Sequence, residues 1–338
     1  MEQTPKEAVA TDESELDHLG GAGGKEATKP FMHRVIFDEP ESFLNYMGCM
    51  LPYPWYKTLA EVESFEAKTG DVCLISFPRA GRSWMSAIVA MILNDGNPDC
   101  LHSKTQPLTQ LVPFLEECLP PAIDHPELRT IHKIKAAPSP RLYATHLPVK
   151  ALPISIFQKA KIIYTYRNPK DVLVSLHNFM RGIKAVGYQH DLPYLADQMT
   201  RDHGKIWFGP FFDHIEGYWQ QRHLESLLVC SYEELKQNMP REVTRIVAFL
   251  GKTLTAEQVE RICHECSFHT MKDNPTVNRQ EMQDKYGVMD FKVSPYMKGG
   301  KSGSWKSAID DESNRKLDHW IAEHLAKPEL KGLEFQFM

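Results

Sequence analysis

The fold is decided by residues 72–84, which read Val72-Cys-Leu-Ile-Ser-Phe-Pro-Arg-Ala-Gly-Arg-Ser-Trp84. An apolar run ends in a short Pro/Gly turn, and a helical pattern follows at once, which predicts a buried strand, a tight loop and a helix start. Such a junction directs free backbone N–H groups and the positive end of the helix at one point, which suits an anion. Because Arg79 and Arg82 lie inside the loop, we expect a phosphate or sulfate site there. An ordinary strand-to-helix turn with surface arginines is the alternative.

The bulk composition of the chain is ordinary and argues against several classes of protein. Of its 338 residues 42% are apolar and 25% charged, and the formal net charge is −5, so we expect no nucleic-acid partner, since such binding usually needs a basic excess. No stretch reaches the roughly 18 apolar residues of a transmembrane helix, and the acidic N-terminus is unlike a signal peptide. The seven scattered cysteines are typical of a reducing compartment. We therefore expect a cytoplasmic protein with no membrane partner.

The chain divides into a tail and one folded domain. Residues 1–30 carry seven acidic and three basic residues, a glycine run and little to bury, so we predict a disordered tail, followed by a single domain over 31–338. Strands are predicted at 72–77, 141–145, 161–166 and 226–230, and helices at 83–94, 168–181, 195–203, 210–222, 240–250 and 255–264. This alternation predicts an α/β fold, a central parallel sheet flanked by helices on both faces. Ligands of such sheets bind beyond the carboxyl ends of the strands, where the 78–83 loop, His146, Arg167 and Tyr232 would emerge.

Three further segments carry residues suited to anions or to proton transfer. Arg167 ends the strand predicted at 161–166, and Pro169 lies in the first helical turn, where a missing N–H costs little; taken alone, such a turn is more often merely exposed. His146 follows another strand and can act as a base near neutral pH, although a lone histidine is more often structural. The glycine-rich run 294–305 can fold over phosphates, or it is simply a flexible loop.

Two other kinds of site are not expected. The loop at 77–84 lacks the Gly-x-x-x-x-Gly-Lys-Ser/Thr spacing of nucleoside triphosphatases. The run Cys263-His-Glu-Cys266 is followed by no second Cys/His pair at zinc-finger spacing, and its helical context favours packing. We therefore expect no metal.

Seven short motifs, in this order and at these separations, make the chain from about residue 45 onward resemble the cytosolic sulfotransferases. This family transfers a sulfonate group from 3′-phosphoadenosine 5′-phosphosulfate (PAPS) to a hydroxyl or amine. The motifs are Phe77-Pro-Arg-Ala-Gly-Arg-Ser-Trp84, Thr145-His-Leu-Pro148, Arg167-Asn-Pro-Lys-Asp-Val-Leu-Val-Ser175, Tyr232-Glu-Glu-Leu235, Phe249-Leu-Gly251, Ser267-Phe-His-Thr-Met-Lys-Asp-Asn-Pro275 and Gly300-Lys-Ser-Gly-Ser-Trp305. The resemblance implies the sulfotransferase fold with its P-loop-like phosphosulfate loop, PAPS as donor, no metal, and a small-molecule acceptor as partner.

The resemblance also implies which residues bind the donor. The 79–84 loop would hold the 5′-phosphosulfate, Trp84 would stack on adenine, and Arg167 and Ser175 would bind the 3′-phosphate with help from Lys298. The donor-binding residues implied in this way are Arg79, Ala80, Gly81, Arg82, Ser83, Trp84, Arg167, Ser175, Tyr232, Cys266, Ser267, Phe268, Met271, Met297, Lys298, Gly299 and Gly300.

For the chemistry, the resemblance implies that His146 is the catalytic base and that Arg79 occupies the catalytic slot of the loop. Phe114 lies in Val112-Pro-Phe-Leu115, which matches an acceptor loop of the family, so Phe114 and His146 would contact a small, largely apolar acceptor such as a phenol, steroid, alcohol or amine.

Several positions depart from the family pattern. Arg79 stands where a lysine is usual; arginine keeps the charge but is a very poor proton donor. Arg82 replaces a small hydroxyl residue, Ala144 replaces a lysine, and Lys298-Gly299 stands where Arg-Lys is usual. In the C-terminal dimerisation motif the Thr, Val and Glu positions are filled by Asp310, Asp311 and Arg315. The resemblance therefore does not support the usual homodimer contact.

These departures leave three hypotheses open. The first is an active PAPS-dependent sulfotransferase. The second is a protein that binds PAPS or its product 3′-phosphoadenosine 5′-phosphate (PAP) with weak or no transfer, suggested by the missing lysines. The third is a dehydratase that sulfonates an alcohol and then eliminates sulfate.

Overall fold

The computed structural model describes residues 37–38, 42–103, 105–118, 125–184, 186–202, 204–284, 286–299 and 302–337. The tail predicted over 1–30 lies outside these residues. The strands are β1 (Phe43–Tyr46), β2 (Cys49–Pro52), β3 (Val72–Ser76), β4 (Leu142–Thr145), β5 (Lys161–Tyr166) and β6 (Leu227–Ser231). The α-helices are α1 (Leu59–Glu63), α2 (Arg82–Leu93), α3 (Asp99–His102), α4 (Leu108–Leu111), α5 (Thr130–Ala136), α6 (Ile154–Lys159), α7 (Pro169–Gly182), α8 (Leu192–Thr200), α9 (Phe211–Gln220), α10 (Tyr232–Gln237), α11 (Met239–Leu250), α12 (Ala256–Glu265), α13 (Phe268–Asp273), α14 (Gln280–Asp284) and α15 (Asp311–Leu325).

Four parallel strands form the central sheet in the order β4-β3-β5-β6. Val72 of β3 pairs with Leu142 of β4 on one side and with Lys161 of β5 on the other. The chain thus leaves β3 toward β4 and then returns across β3 to reach β5. In open α/β sheets such a reversal opens a crevice at the carboxyl ends of the two strands concerned. Here that crevice lies beyond β3 and β5.

Both faces of the sheet are covered, which confirms the predicted α/β architecture. All five residues of β3 are buried, as expected for a parallel strand between two helical layers. Cys73 and Ile75 pack in one apolar cluster with residues of α7, α8, α9 and α15. Val72 and Leu74 pack in a second cluster with residues of α2, α11 and α12. Side chains alternate across a strand, so one apolar run supplies both cores.

The predicted strands agree with the observed ones to within one residue at either end. The helix predicted at 195–203 is wrong in position, because α8 begins at Leu192. Asp191 caps this helix, its carboxylate accepting from the Tyr194 N–H, and Pro193 is accommodated in the first turn. The β1–β2 hairpin and α15 were not predicted. The hairpin turns at Met47 and Gly48, both at positive φ, without the Asn-Gly or Asp-Gly signal of such turns.

Candidate active site

The carboxyl ends of the four central strands meet at one cavity of about 760 Å³. Arg79 follows β3, His146 follows β4, Arg167 follows β5 and Tyr232 follows β6, and all four line this cavity. The convergence expected from the strand order is therefore observed. The cavity is lined by apolar side chains and by residues of the two helix starts, of α2 and of α7.

The start of α2 is open: the helix begins at Arg82 without a side-chain cap. Its first turn therefore presents backbone N–H groups that need another partner. The approach to it has positive φ at Arg79 (67°) and Gly81 (111°), which strains the backbone at Arg79 and suits a glycine at 81. Glycine is required at 81, because a Cβ there would lie 2.7 Å from Cδ2 of Tyr232. The loop thus packs closely against Tyr232.

Arg79 ties the α2 start to α7. Its Nε donates to Oγ of Ser175 at 3.0 Å, and its Nη2 donates to the carbonyl of Tyr296 at 3.2 Å. The guanidinium packs against the rings of both Phe179 and Tyr296, with its Cζ 4.7 and 4.8 Å from their centroids. Stacking on aromatic faces and forked donation are the two properties that distinguish arginine from lysine. Ser175 therefore contacts Arg79 of the loop.

Arg82 is directed the other way, toward the acceptor loop. Its Cζ lies 4.1 Å from the centroid of Phe114, and its side chain is buried. Within the described part of the chain, its Nε has no hydrogen-bond partner. Burial and the neighbouring Arg279 lower the pKa of Arg82 to about 9, so the group is cationic at neutral pH.

The start of α7, in contrast, is closed by side chains. The Asn168 side chain caps the helix by accepting from the Asp171 N–H at 2.9 Å. The Asn168 N–H and Nδ2 donate to Oε1 of Glu233. The buried Asp171 carboxylate accepts from the Gly303 N–H at 2.8 Å and from Oγ of Ser304 at 3.1 Å. The Arg-Asn-Pro-Lys-Asp run thus joins β5 to α10 and to the segment before α15.

Arg167 projects from this closed junction toward the open one. Its Cζ lies 4.2 Å from the centroid of Tyr232, and Nη1 donates to the carbonyl of Arg79 at 3.4 Å. Nη2 is 3.8 Å from the Asp171 carboxylate. The described residues provide no hydrogen-bond partner for its buried Nε. Arg167 therefore retains a donor for a ligand at the point where the two helix starts approach each other.

His146 is held in one tautomer. Its Nδ1 is 2.6 Å from the carbonyl of Ser76; since a carbonyl only accepts, Nδ1 carries the proton and Nε2 keeps its lone pair. The ring lies nearly parallel to that of Trp55 and 4.7 Å from that of Phe114. Burial and the charge of Arg82 hold the pKa of His146 well below its usual range. The imidazole is therefore neutral and can accept a proton through Nε2.

Several other residues that were predicted to bind the donor lie around Trp84. The Trp84 indole N–H donates to the carbonyl of Cys266 at 2.7 Å, and its ring meets that of Tyr232 edge-on. Ser267 caps α13. A second, adjoining cavity of about 260 Å³ is lined by Trp84, Tyr232, Phe268, Met271 and Met297, among others.

Four other predicted residues have different outcomes. Lys298 and Gly299 line the main cavity, with Nζ of Lys298 donating to Oδ1 of Asn178 at 3.1 Å. Ala80 is fully buried and does not line either cavity. Gly300 lies outside the described residues.

Within the described ranges, no three His, Cys, Asp or Glu side chains are grouped so as to hold a metal ion, and no helix has the length and apolar character needed to cross a membrane.

Comparison with known proteins gives one consistent family. A family described as "Sulfotransferase domain" matches residues 69–329. The chain belongs to the sulfotransferase family. It is 37% identical to sulfotransferase 1B1 of Mus musculus, over 80% of this chain and 88% of that protein. It is 33% identical to sulfotransferase 1E1 of Bos taurus, over 86% and 96%. The resemblance of the motifs is therefore confirmed, and the enzyme class is sulfotransferase.

Solved structures share the fold of this sulfotransferase. Retinol dehydratase in a complex with retinol and PAP has a TM-score of 0.76 at 24% identity, over 85% of this chain and 89% of that one. Mouse sulfotransferase SULT7A1 complexed with PAP has a TM-score of 0.67 at 23% identity, over 85% and 95%. At these identities the likeness concerns the fold alone.

Four cavity or near-cavity residues of the sulfotransferase were missed from its sequence. Tyr296 places its hydroxyl 2.6 Å from Oγ of Ser83. Arg279, at positive φ, lies with its Cζ 5.2 Å from the Tyr296 centroid. Glu116 accepts from the His146 N–H at 2.6 Å, and burial raises its pKa to about 7. Glu117 is buried beside it. Tyr296 lies in the run 294–305, which was noted for its glycines and not for its tyrosine; Arg279, Glu116 and Glu117 lie in no motif with a recognisable spacing.

The structure gives a role to two residues that depart from the family pattern, Ala144 and Asp310. Ala144 lies in β4, fully buried in the apolar cluster on the α2 face, and does not line the cavity. Asp310 caps α15, its carboxylate accepting from the Ser313 N–H at 2.9 Å. Asp310 is therefore used to begin a helix.

Proposed function

We propose that this sulfotransferase transfers the sulfonate group of PAPS to the hydroxyl or amine of a small, largely apolar acceptor, with His146 as the base. The observation that carries the proposal is the His146 tautomer. Donation from Nδ1 to the Ser76 carbonyl leaves a neutral Nε2 in a residue that lines the cavity. A base must be deprotonated before it can act, and the lowered pKa of His146 meets that requirement.

The aromatic surroundings of His146 support an apolar acceptor. The rings of Trp55, Phe114 and Phe208 lie 6.2, 4.7 and 5.4 Å from the imidazole, centroid to centroid. Apolar walls with a few placed polar groups are typical of small-molecule sites. A planar hydroxyl compound between these rings would have its oxygen beside Nε2.

The two helix starts support PAPS as the donor, because that molecule is anionic at both ends. The α2 start has an uncapped first turn, and the α7 start presents Arg167. The described residues leave the buried Nε of Arg167 without a partner. Backbone N–H groups at an open helix start and an unpaired guanidinium donor fit phosphate and sulfonate oxygens. The PAP complexes of the two structural neighbours agree with this donor.

In the proposed reaction the donor supplies a sulfonate whose bond to the phosphate oxygen breaks as the bond to the acceptor oxygen forms. Negative charge then grows on the phosphate oxygen, and cations or helix N–H groups fixed nearby stabilise the transition state more than the ground state. We assign this task to Arg79 and to the backbone of the 79–84 loop. His146 takes the proton of the acceptor hydroxyl.

The other donor contacts are proposed by position. The 3′-phosphate would meet Arg167, Ser175, Lys298 and the backbone at Gly299. The adenine would lie beside Trp84, in the second cavity. The proposed lining of that cavity is Tyr232, Phe268, Met271 and Met297, supported from behind by Cys266 and Ser267.

The test is incubation of the protein with labelled PAPS and a panel of phenols, steroids, retinoids and amines, following both the label and the product mass. A labelled product with the mass of a sulfate ester or sulfamate is expected. Tight PAP binding without turnover on any acceptor would contradict the enzyme and indicate a binding protein. A dehydrated product without label would indicate the dehydratase.

His146→Ala tests the base directly. We expect turnover to fall by roughly 10²–10⁴-fold, the usual contribution of general base catalysis, while PAP affinity measured by calorimetry changes less than about two-fold, since a two-fold change is a small fraction of the binding free energy. The exposed His223 gives a matched control, and His223→Ala should leave both values unchanged. Transfer that survives His146→Ala would show that another group is the base.

A further inference from the structure

The guanidinium of Arg82 is a buried cation at the acceptor end of the cavity. It is 6% exposed, it lines the cavity, and its Nε has no hydrogen-bond partner among the described residues. The Phe114 ring packs against it, with its centroid 4.1 Å from Cζ. A stacked aromatic ring stabilises a cation but satisfies none of the N–H donors in its plane. The Nε donor at least therefore lacks a partner within the described residues, and the guanidinium lines the cavity where a ligand would bind.

Several ionisable groups oppose the charge of Arg82. Arg79 is bonded to Ser175 and to the Tyr296 carbonyl, on the side of the proposed donor site. Arg82 and Arg279 line the cavity together with Glu117 and Tyr296, and Glu116 also acts on Arg82. Burial raises the pKa of Glu117, while Glu116 and Tyr296 have pKa values of about 7. Glu116 and Tyr296 therefore do not carry full negative charges at neutral pH.

Arg82 and His146 both contact one aromatic ring. The Phe114 centroid is 4.1 Å from Cζ of Arg82 and 4.7 Å from the centroid of His146. Both side chains also line the cavity, and the charge of Arg82 lowers the pKa of His146, so one small ligand can place its hydroxyl at His146 and its acidic group at Arg82. A guanidinium binds a carboxylate through two parallel N–H bonds, which fixes its orientation as well as adding binding energy.

We propose that the preferred acceptor is a small aromatic or alicyclic hydroxy acid, whose carboxylate binds Arg82 with Arg279 adding to the positive field. This inference rests on the proposed function, because it describes the acceptor of the same reaction. The apolar walls contact the body of such a molecule, Arg82 binds its acidic group, and His146 receives the hydroxyl proton.

A matched pair of acceptors tests the charge preference. For the wild-type enzyme we expect kcat/KM to be roughly 10–100 times higher for 4-hydroxyphenylacetate than for 4-hydroxyphenylacetamide, the range for a hydrogen bond to a charged group. Arg82→Gln should reduce this ratio to about one, since the charge is removed, and Arg82→Lys should retain part of it. Because both acceptors use the same donor, a general defect in PAPS binding cancels from the ratio.

Control variants separate the subsite from the overall charge of the protein. Arg279→Gln should lower the ratio less than Arg82→Gln, while Arg241→Gln, an equal change of charge at an exposed position of α11, should leave it unchanged. A wild-type ratio of one or below, or a ratio that survives Arg82→Gln, would overturn the inference. So would equal losses for both acceptors with a raised KM for PAPS, because Arg82 would then serve the donor.

A binding measurement distinguishes failure of the inference from failure of the proposed function. Phenylacetate and phenylacetamide lack the hydroxyl and cannot be sulfonated there, so calorimetry on the PAP-bound protein measures recognition alone. We expect phenylacetate to bind at least about ten-fold more tightly, a difference equivalent to about 1.4 kcal/mol. If this preference holds while no phenol is turned over, the proposed function fails and the acid subsite stands. If neutral phenols are sulfonated without any acid preference in either assay, the inference of an acid subsite fails and the proposed function stands.

Discussion

The two strand–helix junctions, β3–α2 and β5–α7, share a plan and differ in what completes them. At α7 the side chains of Asn168 and Asp171 satisfy the helix start and attach it to Glu233 and to the segment at 303–304. At α2 the helix has no side-chain cap, and its approach runs through positive φ at Arg79 and Gly81. A helix start closed by its own side chains needs no further partner, while an open one has N–H groups left for an anion. The α7 junction is therefore structural support for Arg167, and the α2 junction is the one that we propose binds the phosphosulfate end of the donor.

The largest effect is expected from removing Asp171, whose carboxylate closes the start of α7. Asp171 is fully buried and accepts from Gly303 and Ser304 while facing Arg167. Asp171→Ala should lower the free energy of unfolding by about 3–5 kcal/mol, because it leaves a buried cation and several donors without their partner. Urea denaturation measures this loss in the free energy of unfolding.

The exposed Asp213, in the first turn of α9, is the matched control for this change. Asp213→Ala should cost no more than about 1 kcal/mol, the usual effect of an exposed acidic group at a helix start. If the two variants lose equal stability, the α7 junction is no more than a charged surface turn.

The second largest effect is expected from adding a side chain at Gly81, in the open α2 junction. Gly81→Ala places a methyl group 2.7 Å from the Tyr232 ring at a φ of 111°, which should cost about 1–3 kcal/mol in stability. Displacement of Tyr232 should also weaken PAP binding about ten-fold, equivalent to about 1.4 kcal/mol. Gly48→Ala has a similarly positive φ but no atom within 4 Å of the added Cβ. It should lose stability without losing PAP affinity, and equal losses of affinity would contradict the close packing of the loop.

Ionisation of Tyr296 changes the charge of the open junction with pH. Burial raises the pKa of Tyr296, but Arg279, Arg79 and Arg82 outweigh that effect and lower it to about 7. The folded value is below the unfolded one, so ionisation stabilises the folded chain above pH 7, and this contribution is lost as the pH falls through 7. The same negative charge opposes an anionic donor.

We therefore expect wild-type PAP affinity, relative to that of Tyr296→Phe, to fall roughly three- to ten-fold between pH 6 and pH 8, the effect of one partly screened charge. Calorimetry at both pH values measures this. Comparison with the phenylalanine variant removes the ionisation of PAP itself, which both proteins experience equally. A constant ratio across this range would show that Tyr296 does not ionise there.

Arg79→Lys should give the smallest effect. Lysine keeps the charge and adds a transferable proton, but it loses the bond from Nε to Ser175 and the planar stacking on Phe179. We expect kcat to be retained within about three-fold or to rise, a change of less than 1 kcal/mol in the activation free energy. Arg79→Met, which removes the charge, should lower kcat much more. A large loss with lysine would mean that the arginine fork, rather than its charge, is essential.

The fold and the order of site motifs were predictable from the sequence because they depend on local patterns. The apolar run 72–76 gives a buried strand wherever it lies, and Pro169 and Asp171 mark a helix start by their own chemistry. The position of α8 was missed because capping by Asp191 competed with Pro193 as the boundary signal. Arg279 and Glu117 were missed because nothing local to them indicates a site, and Tyr296 was missed because its run, 294–305, was interpreted through its glycines alone.

The sequence by itself determined that two helix starts with arginines follow two parallel strands, and that His146 follows a third. Only the tertiary structure decided how these groups are used. Ser175 meets Arg79, the Ser76 carbonyl sets the His146 tautomer, and Arg82 turns to Phe114. The physical reason is distance along the chain. Backbone conformation follows from neighbours in sequence, whereas the partner and the pKa of a buried side chain depend on what the sheet brings beside it.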